Sequence, residues 1–155
     1  MKSKKFKFKL ENILILKKKK EDEEKEKLAA CFRKLEKEEE KLRKLEEDKR
    51  NSVEYIKKKK SKGGLDIDEL KMYQLHLERL EDRIEHQKIC VQDARRAAEK
   101  QREILIKAAQ ERKTYERLKE KKKEEFDKEA DMEERKFIDE LATMKYARKE
   151  KREES

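Results

Sequence analysis

Gly63 and Gly64 stand side by side, and they are the only glycines in a chain of 155 residues that contains no proline. Proline costs about 3 kcal/mol in a helix interior, and glycine about 1 kcal/mol relative to alanine. A chain whose only strong breakers are adjacent is free to form one long helix on each side of them, and little else. Such a fold can brace, span, insert or recruit. It has almost no interior in which to shelter a chemical site.

Composition leaves two possibilities. Charged residues make up 56% of the chain and hydrophobic ones 33%, which suits either a disordered polyampholyte or a coiled coil. The net charge of +9 is uneven: residues 1–20 carry a net +8, and the run 57–62 another +5. Elsewhere acids and bases interleave as on a solvated helix surface. A nucleic-acid reader would show a continuous basic face with aromatics free to stack, so no nucleic-acid partner is expected.

Cys31 and Cys90 do not make a disulfide framework and read as reduced thiols. The run Ile13-Leu14-Ile15-Leu16 is too short for a signal sequence, and Lys17 to Lys20 follow where a small-residue cleavage site belongs. No stretch approaches membrane-spanning length. The expectation is a soluble cytoplasmic protein without direct membrane insertion.

Periodicity decides for the coiled coil. Alternating steps of three and four residues trace one face of an underwound helix. From Leu10 this rule visits Leu14, Lys17, Glu21, Glu24, Leu28, Cys31, Leu35, Glu38, Leu42, Leu45, Lys49, Ser52 and Ile56, of which eight in fourteen are apolar. Restarted at Leu70, it visits Tyr73, Leu77, Leu80, Ile84, Gln87, Val91, Ala94, Ala98, Gln101, Leu105, Ala108, Arg112 and Tyr115, and eleven in fourteen are apolar or aromatic. Between the seams, four adjacent lysines and the two glycines end the first helix. Asp66 and Glu69 then read as a capping box, with Leu65 and Leu70 as its hydrophobic staple.

So short a connection predicts an all-α antiparallel coiled-coil hairpin. It spans residues 1–155 as one domain: helix 1 over about 8–60, a turn over about 61–65, helix 2 over about 66–150. With the turn near residue 63, facing seam residues should have numbers summing to about 125. That places Leu42 against Ile84, Leu45 against Leu80, Leu35 against Val91 and Cys31 against Ala94. The polar seam residues then meet one another, Glu38 with Gln87 and Glu24 with Gln101. Such layers cost stability but fix register. Helix 2 should overhang from about Arg117. Its stripe of Phe126, Phe137, Leu141 and Met144 is expected to lack a partner within the chain, which marks a docking surface.

Catalytic chemistry is not expected. His76 and His86 lie ten residues apart, some 280° around a helix, and neither has a Cys or His at ligand spacing. Gly63-Gly64 lacks the lysine-serine pair and the preceding strand of a phosphate loop. Carboxylates abound, but two helices bury too little to separate the pKa values of a catalytic pair. No enzyme activity, cofactor or metal follows from these residues.

The opening Phe6-Lys7-Phe8-Lys9-Leu10-Glu11-Asn12-Ile13-Leu14, followed by a basic and then an acidic stretch, resembles the bacterial flagellar export family FliJ. So does the second-helix pattern Tyr73-Gln74, Leu77, Leu80, Ile84 and Gln87. The resemblance implies a non-enzymatic stalk and escort that inserts in the hexameric flagellar export ATPase and contacts the membrane export gate and export chaperones. It would work at the cytoplasmic face of the inner membrane. It also implies a gate contact just beyond the turn, corresponding to His76, Leu80, Arg83 and Gln87. Family members often carry aromatics on the facing stretch, where this chain has Asp48 and Ser52. Phe6, Phe8 and Leu10, with Phe126, Phe137, Leu141 and Met144, form the end expected to dock on the ATPase. The alternatives are a structural coiled coil and the equivalent stalk of a virulence secretion system.

Overall fold

The computed structural model of the protein describes residues 4–154. It is all-α, with two long helices, α1 (Glu11–Ser61) and α2 (Ile67–Glu154), packed against each other. The chain divides into two compact units, Lys20–Ala108 and the residues flanking it on either side, up to Lys19 and from Ala109.

Local chemistry sets the helix ends. Glu11 occupies the first turn of α1 and Lys58, Lys59 and Lys60 the last, each complementing the helix dipole. Gly63 adopts φ 68°, and the amides of Gly63 and Gly64 donate to the carbonyls of Lys60 (3.2 Å) and Lys59 (3.3 Å). This is a Schellman cap, which satisfies carbonyls that the helix end would otherwise orphan. Asp66 Oδ1 accepts the Glu69 amide at 2.8 Å and so caps α2. Glu69 Oε2 is buried 4.0 Å from Lys59 Nζ, an ion pair across the turn.

The two glycines are not equivalent. A Cβ at either would meet open space, so only backbone conformation separates them. Gly63→Ala should cost about 1–2 kcal/mol, because left-handed geometry penalises any Cβ. Gly64, without positive φ, should tolerate alanine within about 0.5 kcal/mol. Urea unfolding of the two variants checks this, and equal midpoints would contradict the cap.

Within Lys20–Ala108 the helices form the hairpin. Leu80, Ile84, Val91, Ala94, Ala98 and Ala108 of α2 are buried, while Leu28, Cys31, Leu35, Leu42, Leu45 and Leu77 are half-buried. In the flanking unit, Leu14 is the most deeply buried side chain, at 1% exposure.

Candidate docking surfaces

Two polar layers cross the hairpin. Gln87 Nε2 donates to the Glu38 carbonyl at 2.9 Å and to Glu38 Oε2 at 2.5 Å. Gln101 Nε2 donates to the Glu24 carbonyl at 3.3 Å and also to Glu24 Oε2. Each glutamine therefore ties one helix to both the backbone and the side chain of the other. These are the layers that the numbering rule places together. A shift of either helix by one heptad would break all four bonds, so the layers favour a single register.

These bonds lower the pKa of Glu24 and Glu38 from an ordinary value of 4.5, chiefly through the glutamine amides, against the opposing effect of burial. A carboxylate with a lowered folded-state pKa adds stability above its ordinary value and loses it as pH falls through the lowered one. The melting temperature should therefore drop as pH falls below about 4.5. The Glu24→Gln, Glu38→Gln double variant, which does not titrate at those positions, should drop less steeply. Parallel curves by circular dichroism would contradict the layers.

Near the turn, His76 and Arg83 are exposed on one side of α2, two turns apart, whereas Leu80 and Gln87 are buried in the seam. The four residues therefore do not make one accessible surface. Ser52 Oγ lies 3.4 Å from His76 Nε2, and Asp48 is exposed. An aromatic cluster lies next to them: the Tyr55 and Tyr73 rings are 5.7 Å apart at 61°, with Lys59 Nζ 5.2 Å and 5.9 Å from their centroids. Contact with Tyr73 and then Lys59 lowers the Tyr55 pKa, contact with Tyr55 raises that of Tyr73, and the Tyr55 hydrogen bond raises that of Lys59. The seam rule includes Tyr73 but steps past Tyr55, so periodicity alone does not find this cluster. The exposed aromatic beside the turn belongs to helix 1, three residues beyond Ser52.

The unit formed by residues up to Lys19 and from Ala109 corrects one expectation. Phe126 has a partner within the chain: its ring centroid lies 5.6 Å from that of Phe6. Phe6, Phe8 and Leu10 face Leu118 and Phe126 across a groove of about 950 Å³, while Lys5, Lys7 and Lys9 are exposed. The reason is backbone geometry. Residues 4–8 are not helical, α1 begins only at Glu11, and an extended residue advances about 3.3 Å where a helical one advances 1.5 Å. The segment therefore reaches further along α2 than a helix would. Its period-two alternation of aromatic and lysine turns one face inward. Ion pairs Lys119–Glu11 (2.8 Å) and Lys17–Glu111 (2.9 Å) hold the same unit, and Glu111 raises the Lys17 pKa. Phe137, Leu141 and Met144 are exposed along one side of α2.

His86 has a neighbour that the spacing argument passed over, Cys90, whose Sγ lies 3.8 Å from Nε2 at i,i+4. Two donors fall short of a metal site, and no group of three or more lies among the described residues. Nor, among them, is any helix long and apolar enough to cross a membrane.

No curated protein and no solved structure matches the chain. A protein family described as "Flagellar FliJ protein" does, over residues 6–151. The match takes in both helices, the turn and both candidate surfaces, and with it comes a role in flagellar biogenesis and protein export. By that match the chain belongs to the flagellar FliJ family.

Proposed function

We propose that this protein is a non-enzymatic stalk and escort of the flagellar export apparatus, engaging the export ATPase ring, the membrane export gate and export chaperones. The observation that carries the reading is the family match over residues 6–151. Phe137, Leu141 and Met144 dock on the ATPase, together with the end built from Phe6, Phe8, Leu10 and Phe126. Support comes from exposure: three large apolar side chains at helical spacing on one side of a helix suit burial against a partner. His76 and Arg83 meet the gate, with Leu80 and Gln87 holding the hairpin beneath them. The protein acts at the cytoplasmic face of the inner membrane.

The test is turnover of the purified flagellar export ATPase with and without this chain. Stimulation that saturates at a defined ratio is expected. An unchanged rate, with no complex in size-exclusion chromatography, would overturn the reading.

A further inference from the structure

The first two turns of α1 contain a run of four aliphatic residues, and the fold uses only one of them. Leu14 is 1% exposed, but Ile13, Ile15 and Leu16 are 37%, 53% and 63% exposed. At about 100° per residue, the arc of residues 12–19 opposite Leu14 reads Ile15, Lys19, Asn12, Leu16, Ile13 in order around the helix. No carboxylate interrupts it before Glu23, one turn beyond Lys19. Glu11 lies toward the buried side and pairs with Lys119 at 2.8 Å, while Glu111 and Glu116 pair with Lys17 (2.9 Å) and Lys18 (3.9 Å) away from the arc.

Lysines flank this arc. Lys4, Lys5, Lys7 and Lys9 precede it, all exposed, and they border the groove that holds Phe6 and Phe8, where Glu125 and Glu129 also lie. Lys19 lies within the arc. The stretch sets apolar side chains in a strongly basic segment, residues 1–20 carrying a net +8. A protein groove complementary to it would have to be both apolar and acidic. An anionic bilayer surface offers that chemistry without further specification: phosphate headgroups meet the lysines, and the acyl boundary takes the aliphatic tips.

We propose that residues 4–19 bind the surface of anionic phospholipid bilayers, with Ile13, Ile15 and Leu16 dipping into the headgroup boundary and the exposed lysines contacting phosphates. The helix lies on the surface and does not cross it. Three partly exposed aliphatic side chains are too little to hold a neutral bilayer, so binding requires both components. Each lysine near an anionic surface contributes roughly five-fold in affinity.

The experiment is flotation of the purified full chain with vesicles of phosphatidylcholine alone or with about a third phosphatidylglycerol. It involves neither the ATPase nor the gate, so its failure would leave the export reading standing, and the reverse also holds. Binding is expected only to the anionic vesicles and should fall steeply as salt is raised. Ile15→Ser with Leu16→Ser should weaken it roughly ten-fold at unchanged charge. Lys5→Gln, Lys7→Gln and Lys9→Gln together should weaken it roughly a hundred-fold. All these positions are exposed, and unchanged circular dichroism will show that the fold survives. Lys57→Gln, Lys58→Gln and Lys60→Gln, an equally basic exposed cluster, should leave binding intact. The proposal is overturned if the anionic vesicles do not bind at low salt, or if the Lys57/58/60 variant loses as much as the Lys5/7/9 variant. It is equally overturned if Ile15→Ser/Leu16→Ser keeps full vesicle binding while losing a protein partner, which would make the patch a protein interface.

Discussion

Ile84→Asp is expected to unfold the hairpin at temperatures where the native chain is fully folded. Ile84 is 6% exposed in the Lys20–Ala108 unit, and the numbering rule, which the Gln87 and Gln101 bonds follow, sets the apolar Leu42 against it. An unpaired charge buried there costs about 3–5 kcal/mol, from a total stability of about 5–15 kcal/mol for a domain. At about 4–8 °C per kcal/mol, the melting temperature should fall by about 15 °C or more. Phe32→Asp is the control. Phe32 is as large and apolar but 50% exposed on the outer side of α1, and its replacement should move the transition by no more than about 0.5 kcal/mol. Comparable shifts for the two variants would mean that the seam is misplaced.

The second large effect is on partner binding rather than stability. Phe137, Leu141 and Met144 are 45%, 50% and 59% exposed, so replacing all three with aspartate empties no buried core position. If this stripe docks on the export ATPase, the triple variant loses three apolar anchors and places charges where they stood. At about 1–2 kcal/mol per anchor, affinity should drop by a hundred-fold or more, and stimulation of turnover should vanish. The melting curve should stay put. Full stimulation by a normally folded triple variant would remove the stripe from the interface.

The contrast between those variants shows what the sequence made legible. The hairpin could be read because its determinants are local or periodic. A single glycine pair marks the turn, Asp66 caps α2, and two glutamates on one seam are spaced to meet two glutamines on the other. Every seam position from Leu10 to Ile56 and from Leu70 to Tyr115 is buried or half-buried. The pairing of Phe6 with Phe126 was not legible. It depends on residues before Glu11 leaving the helix, which doubles their advance along α2 and carries them beyond the reach of a helical register rule. The Tyr55–Lys59–Tyr73 cluster escaped for a related reason. It is built from long side chains that reach around the seam rather than into it.

The candidate surfaces were legible as chemistry but not as accessibility. The family resemblance groups Leu80 and Gln87 with His76 and Arg83, although the seam rule visits Leu80 and Gln87 and not the other two. Burial separates them. In the same way, Ile13-Leu14-Ile15-Leu16 reads in sequence as one apolar run, yet the fold buries a single member of it.

The central claim is that the chain doubles back at its glycines within one molecule. Arg95 and Glu39 form an ion pair of 3.3 Å at exposed positions, so spin labels at Glu39→Cys and Arg95→Cys can report on it without disturbing the seam. With Cys31→Ser and Cys90→Ser, and the labelled chain diluted in unlabelled protein, pulsed dipolar spectroscopy isolates the distance within one chain. A hairpin predicts a separation of about 20 Å or less, allowing for the label arms. A chain that stays open and pairs with other copies would hold the labels as far apart as about 80 Å, the span of the intervening residues as continuous helix, and that result would contradict the account.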